Sequence, residues 1–551
     1  MNRPNRLRSL LLVALAFFVA LLGNMSAAPA YAAYVQISGS GSTWSQVIVS
    51  QWISDVNASG IKVTYNGSGS SQGRKDFANG VTDFGISEIP YQGQDEYGNV
   101  DKSNREYAYV PIVAGGTAFT YQIKVGGKLV KNLRLSGETI AKIFTNKITN
   151  WNDPAITKDN NGHKLPSLNI TPVVRSDGSG TTAQFTTWLA KQYPAIWKAF
   201  YPKGTLTSYY PKQGRTVAAA GSDQVMNTIS GAAGNGTIGY VEYSYPVNAH
   251  YPVVKLLNKG GFFVEPTQYN VAVALTKAKI NQNKGSLDYL TQILDGVYNS
   301  TDPRAYPLSS YSYMLIPVGN NANSRMTTAK RQTLADFMNY SLCTGQTKAG
   351  PYGYSPLPLN LVQAGFQQIA RLKQADKGVD LSGRDVRKCN NPTFDGKNLS
   401  RNLLAVKAPA PASCDKVGAG PCGFATGTGT PSTNSNQSGS AASAGGGTTS
   451  AGGAATGAGG AVTAPGTGGA ATAAGGAAAV DPETGAVLPD GGAIAAGGAV
   501  AGTPTELVSS RAHDTTAFGA LAAAELAALV LLPGLFVAWQ RRRNLAQGGG
   551  Q

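Results

Sequence analysis

Histidine is scarce in this chain: only His163, His250 and His513 occur among 551 residues. That leaves little for histidine-based acid–base catalysis or for a histidine metal site. Cysteine is nearly as rare. Its four copies fall late, at Cys343, Cys389, Cys414 and Cys422, with no C-x-x-C spacing. Zinc and dithiol redox chemistry are therefore poorly supplied, and no cysteine near the N-terminus is placed to carry a lipid. An even cysteine number in an exported chain points to disulfides. Three connectivities are possible; Cys343–Cys389 with Cys414–Cys422 is favoured, because the second pair closes a short Gly/Pro loop. A dense Lys/Arg block interleaved with aromatics is also missing, so nucleic acid is a poor match as a partner. The net charge of +16 instead points to an anionic partner or surroundings.

The two ends of the chain read as processing and anchoring segments. Arg3, Arg6 and Arg8 precede an apolar run over residues 10–22, and small residues follow at Ala30 and Ala32. This is the pattern of a secretory signal over residues 1–32. Residues 423–510 are dominated by Gly, Ala, Ser and Thr, a composition that cannot bury enough apolar surface to order itself, and they read as a linker. Residues 517–539 are apolar and long enough to cross a bilayer, with Arg541, Arg542 and Arg543 behind them. The expectation is a single C-terminal transmembrane helix with a cytoplasmic tail over 540–551. An exported protein held at the cell surface through the membrane follows from that. Glu525 and Pro533 stand against the span.

Between these ends, residues 34–391 alternate short apolar strands with amphipathic helices, which predicts an α/β fold, and residues 392–422 form a cysteine-bearing extension. Strands are expected at 61–65, 110–121, 170–174, 236–243 and 311–318, and helices near 224–229, 287–297, 329–342 and 361–372. Three segments share one grammar: a strand, a Gly/Ser/Thr loop, then a helix start. They are residues 39–45, 67–73 and 177–182. Free amides and the positive end of the helix dipole meet at such junctions, and three of them converging would enclose one desolvated anion. Arg175, beside the third loop, adds a planar fork of donors suited to a tetrahedral oxyanion.

The strings Gly39-Ser40-Gly41-Ser42-Thr43-Trp44, Asn66-Gly67-Ser68-Gly69-Ser70-Ser71-Gln72-Gly73, Asp83-Phe84-Gly85-Ile86-Ser87-Glu88, Arg175-Ser176-Asp177-Gly178-Ser179-Gly180-Thr181 and Gly236-Thr237-Ile238-Gly239-Tyr240-Val241-Glu242-Tyr243 occur in that order. Through them the sequence resembles the phosphate-binding protein of bacterial phosphate ABC transporters over nearly all of its globular part. The resemblance implies a two-lobed periplasmic-binding-protein fold (type II), with lobe I at 34–115 and 302–391 and lobe II at 116–301. It implies inorganic phosphate as ligand, with a membrane permease and a cytoplasmic ATPase as partners, and no cofactor. The implied phosphate contacts are Thr43, Trp44, Ser70, Glu88, Arg175, Ser179, Gly180 and Thr181, with Asp177 and Ser71 supporting.

This chain departs from the family at two of these positions. The family usually has phenylalanine at Trp44 and aspartate at Glu88. The second matters for selectivity, because phosphate near neutral pH still carries a proton and sulfate does not. A buried carboxylate can accept from the phosphate O–H, but it faces a bare oxygen of sulfate, unpaired and repelled. Two other classes of function use the same residues differently. A surface phosphatase would need metal ligands or an activated nucleophile, and no base is evident beside Ser179, so the protein is expected not to be an enzyme. A surface-displayed binding or adhesion protein on the same fold is the other alternative.

Overall fold

The computed structural model describes residues 34–286, 288–319 and 325–423. These belong to the first of the two units into which the chain divides, Met1–Gly446. The signal over 1–32 and residues 424–551, including almost all of the linker, lie outside the described residues.

Eight strands form the main sheet: β1 (Ile37–Gly41), β2 (Val63–Asn66), β3 (Phe84–Ser87), β4 (Tyr107–Tyr121), β5 (Thr171–Arg175), β6 (Val217–Ala219), β7 (Thr237–Glu242) and β8 (Ser309–Pro317). Their order is β6-β5-β7-β4-β8-β3-β1-β2. β1 runs parallel to β2 and β3, and β5 runs parallel to β6 and β7. Each half thus has its own parallel core, whose strands are connected through helices, as parallel connections require.

β4 joins the halves. It pairs antiparallel with β8 through residues 107–116 and with β7 through residues 117–121, so its partner changes just after Gly115 and Gly116. A Cβ at Gly115 would stand 2.6 Å from the Trp44 ring, and one at Gly116 would stand 2.4 Å from Pro266. The strand can pass between the lobes only because both positions lack side chains. Beyond Tyr107 the strand is buried throughout, which matches its near-continuous apolar run. This is the two-lobed α/β architecture.

Four helices frame the cleft: α1 (Gln46–Asn57), α2 (Ser70–Ala78), α3 (Gly180–Gln192) and α4 (Gly221–Ser230). α1 buries Ile48, Val49, Trp52 and Val56, a stripe at helical spacing. α2 opens on a first turn without apolar side chains and buries Ser70 and Gly73.

Two expectations are corrected. The helix expected near 287–297 is instead a short two-stranded pairing, Lys279–Ile280 with Gln292–Ile293, followed by the four-residue helix Asp295–Tyr298. Leu290 sits at φ 70°, a left-handed conformation that no α-helix accommodates. The expected transmembrane helix is withdrawn. Among the described residues no helix is long and apolar enough to cross a membrane, and the longest, Leu359–Ala375, has 17 residues and a polar face. Residues 517–539 lie outside the described residues, and they carry Glu525 and Pro533, an acid costly at mid-membrane and a helix breaker. The fold is therefore the two-lobed α/β body with its extension. The membrane as a partner and anchoring at the cell surface are withdrawn with the span.

Disulfides join Cys343 to Cys389 and Cys414 to Cys422. The extension carrying the second pair docks back onto the body. Lys255 Nζ lies 2.7 Å from Asp415 Oδ2, and the Arg134 guanidinium donates to the carbonyls of Cys414 (3.1 Å) and Ala419 (2.8 Å).

Candidate functional site

The loops after β1, β2, β3 and β5 leave the carboxyl ends of parallel-core strands, the edge of an α/β sheet where ligands collect. After β1, Gly41 takes φ +135°, and a Cβ there would lie 2.2 Å from the Ile86 carbonyl. The chain then presents Ser42, Thr43 and Trp44, all buried, before α1. The Ser42 hydroxyl accepts the Trp44 amide (3.0 Å), so that amide already has an acceptor, and the Trp44 ring packs toward the joining strand, where its Nε1 donates to Thr117 Oγ1 (3.3 Å).

After β2, Gly69 at φ +90° turns the chain into α2. Its missing Cβ is needed, because one would stand 2.5 Å from Asp177 Oδ2. Ser70 opens α2 and donates its hydroxyl to Glu88 Oε2 at 2.8 Å. Glu88 follows β3 and is 1% exposed. Its other oxygen accepts from Ser312 Oγ (2.8 Å), and its carbonyl accepts from Gln184 (2.8 Å) and Gln292 (3.1 Å). The extra methylene of the glutamate is thus held by hydroxyls on both sides.

After β5, Arg175 is almost fully buried. Its Nε donates to Asp177 Oδ1 (2.7 Å) and its Nη2 to Asp177 Oδ2, a two-pronged pair that fixes the guanidinium plane. Burial alone would raise the Asp177 pKa. The bonds and charge of Arg175, with a Gly221 amide bond (3.0 Å), outweigh that and hold it below the ordinary value.

The third loop ends at α3. Ser179 is its N-cap, and its hydroxyl accepts the Thr182 amide (3.1 Å) while its own amide donates to the Ser208 carbonyl (2.9 Å). Gly180 and Thr181 follow as the first helical residues, whose amides have no acceptor within the helix. The Thr181 hydroxyl is buried and has no hydrogen-bond partner. Gly180 faces the other lobe closely: a Cβ there would lie 2.1 Å from Glu88 Oε2 and 2.5 Å from Ser70 Oγ. Ser71 crosses the same gap with its amide, donating to the Gly178 carbonyl at 3.0 Å.

The structure therefore gathers Thr43, Ser70, Glu88, Arg175, Asp177, Ser179, Gly180 and Thr181 around one buried interlobe point, while the Trp44 ring points away from it to Gly115, Thr117 and Tyr354. It also adds residues that the sequence reading missed. Ser222, in the first turn of α4, has its hydroxyl 3.0 Å from Thr43 Oγ1, and Arg175 Nη1 donates to that hydroxyl (3.3 Å). Gly221-Ser222, small residues that open a helix, repeat the grammar of the Ser179-Gly180 helix start, which was the available signal. Ser312 stands in a fully buried strand, where a hydroxyl needs a partner. Gln184 and Gln292 carried no sequence signal.

Chemically, the arrangement offers hydroxyls, helix-start amides and one guanidinium on an oxyanion, plus the Glu88 carboxyl group and the Asp177 carboxylate that holds the guanidinium. The two described histidines, His163 and His250, lie on exposed turns.

A family model described as a PBP superfamily domain matches residues 26–344. The phosphate-binding protein PstS of Methanocaldococcus jannaschii is 31% identical over 348 residues, covering 61% of this chain and 86% of that protein. The PstS of Xylella fastidiosa is 31% identical over 330 residues, 60% of this chain and 83% of its own. The PstS 3 of Mycobacterium tuberculosis is 31% identical over 303 residues, 54% and 76% respectively.

Proposed function

The chain belongs to the PBP superfamily, and from that premise we propose that it is the phosphate-capturing component of an ABC import system, a binding protein and not an enzyme. It takes inorganic phosphate between lobe I (34–115 and 302–391) and lobe II (116–301) and delivers it to a membrane permease driven by a cytoplasmic ATPase. The observation that carries this reading is the approach of Gly180 from one lobe to Glu88 and Ser70 of the other, with Asp177, the partner of Arg175, lying against Gly69.

In this reading Arg175, held by Asp177, supplies the positive charge. The Thr43, Ser179 and Thr181 hydroxyls and the helix-start amides of Ser70, Gly180 and Thr181 bind the remaining oxygens. Glu88 accepts the phosphate proton. A ligand without that proton leaves a buried carboxyl oxygen against an anionic oxygen, at about 4 kcal/mol, which is roughly a thousandfold in affinity. Ser70 and Ser312 hold Glu88 in place, so its greater length relative to aspartate does not disengage it.

Calorimetry with phosphate and sulfate in parallel tests this reading. Wild type binds phosphate one-to-one and discriminates against sulfate. Arg175→Ala loses phosphate binding, and Glu88→Ala loses the discrimination. Equal affinity for the two anions, or no phosphate uptake, overturns the reading.

A further inference from the structure

Between β3 and β4 the chain makes a small hairpin that contributes nothing to the main sheet. Gly93–Gln94 pairs with Val100–Asp101. Its foot is fixed to the anion-binding elements of lobe I. The Asp101 carboxylate takes Arg74 Nε (3.0 Å) and Nη2 (2.8 Å), and Arg74, almost fully buried, lies in the helix that Ser70 opens. Arg74 Nη1 also donates to Ser87 Oγ (3.0 Å), one residue before Glu88.

The tip of the hairpin is pre-shaped. Asp95 Oδ1 accepts the amides of Tyr97 (2.9 Å) and Asn99 (2.7 Å), Asp95 Oδ2 accepts Asn99 Nδ2 (2.9 Å), and Gly98 supplies φ +84°. Such a turn loses little conformational freedom when it meets a partner.

The tip crosses to lobe II. The Glu96 carboxylate accepts the Ser208 amide, the Glu96 carbonyl accepts Lys203 Nζ (2.7 Å), and the Tyr97 ring stands edge-on to Tyr209 with centroids 5.2 Å apart. Ser208 also holds the anion helix, since its carbonyl accepts the Ser179 amide at 2.9 Å. Its neighbour Thr207 is clipped to α3 through Thr186 Oγ1, at 3.0 Å from its amide and 2.9 Å from its carbonyl. One residue, Ser208, therefore receives the grip of lobe I on its amide and positions the cap of α3 with its carbonyl.

We propose that Glu96 and Tyr97 form an interlobe clasp, with Glu96 acting through Ser208 as a positioning residue for Ser179, and that this clasp sets how long the bound anion stays. The inference rests on the phosphate reading above. Its contacts exist only when the lobes are together and touch no anion, so they stabilise the closed state without changing the encounter. Their loss appears in the dissociation rate and leaves association alone.

Stopped-flow phosphate binding by the full chain tests the clasp, with intrinsic tryptophan fluorescence as signal and Glu96→Gln, Glu96→Ala and Tyr97→Ala as variants. Dissociation is expected to accelerate about tenfold for Glu96→Ala, and less for Glu96→Gln and Tyr97→Ala. Association rates and the ligand-free melting temperature are expected to stay at wild-type values. Adding Tyr209→Ala to Tyr97→Ala adds nothing further. Wild-type dissociation rates in both Glu96→Ala and Tyr97→Ala overturn the clasp while leaving phosphate binding intact. A drop in the ligand-free melting temperature that matches the faster release makes the residues structural and also overturns it. A wild type that takes up no phosphate overturns the anion reading itself.

Discussion

Thr43 and Ser222 are 179 residues apart in the chain, yet their hydroxyls lie 3.0 Å apart. The Ser222 amide donates to the same Thr43 oxygen at 3.1 Å, and Arg175 Nη1 reaches the Ser222 hydroxyl at 3.3 Å. A helix start in lobe II thus holds both the first anion loop of lobe I and the guanidinium. Ser222→Ala removes the hydroxyl that those two groups share and leaves a buried Arg175 donor short of an acceptor. That costs about 1–3 kcal/mol, roughly tenfold to a hundredfold in phosphate affinity. Titration calorimetry at constant salt measures it, and an unchanged dissociation constant contradicts it.

Gly180→Ala separates closure from folding. The new methyl would stand 2.1 Å from Glu88 Oε2 and 2.5 Å from Ser70 Oγ, both on the opposite lobe. The three nearest atoms all belong to lobe I, and alanine is the better helix former. The expected result is a ligand-free protein at least as heat-stable as wild type, with phosphate affinity reduced more than a hundredfold. Differential scanning calorimetry with and without phosphate reads both, and a normal phosphate-induced stabilisation of the variant contradicts the geometry.

Asp177 sets an acid limit on binding. Its folded pKa is held below the ordinary 3.8. A depressed carboxylate contributes stability that is present above its unfolded pKa and is lost as pH falls through the folded one. Phosphate affinity is therefore insensitive to Asp177 titration from neutral pH down to about 4 and falls below that, when the carboxylate releases Arg175. Asp177→Asn binds more weakly at pH 7 and lacks the additional loss that wild type shows as pH falls below the ordinary carboxylate range. Equilibrium binding across that range distinguishes the two, and parallel curves remove Asp177 from the account.

The three anion loops were legible in the sequence because strand, small-residue loop and helix start are neighbours in the chain. Arg175 and Asp177, two residues apart, were legible for the same reason. Ser312 was not, because its importance comes from a strand pairing that brings it to Glu88 across 224 residues. The clasp hairpin escaped because its paired strands are two residues each, too short for any periodicity to register, and its turn is built from side-chain bonds. Local hydrophobicity misled in the other direction at residues 287–297, where Leu290 adopts a conformation that interrupts a helical pattern.

Glu242 is the last residue of β7 and takes no part in the proposed binding chemistry, yet it is fully buried. One oxygen accepts the Ser244 amide at 2.6 Å, while the other lies over Gly115 beside the Trp44 ring. Burial pushes its pKa well above 4.5, with the bonds from Ser244 opposing only in part. A carboxyl whose folded pKa is raised contributes stability that is complete below its unfolded value and is lost as pH rises toward the folded one. The protein therefore loses up to about 1.4 kcal/mol per pH unit through this one group as pH climbs above about 4.5. Glu242→Gln keeps the shape and removes the titration. It is expected to be less stable than wild type in acid, where its amide protons lack the acceptors that a carboxylic acid does not need, and to overtake wild type as pH rises. Urea unfolding at several pH values, with the phosphate concentration held at zero, gives the two stability curves. If they run parallel, with the variant below wild type throughout, the alkaline loss belongs to another group.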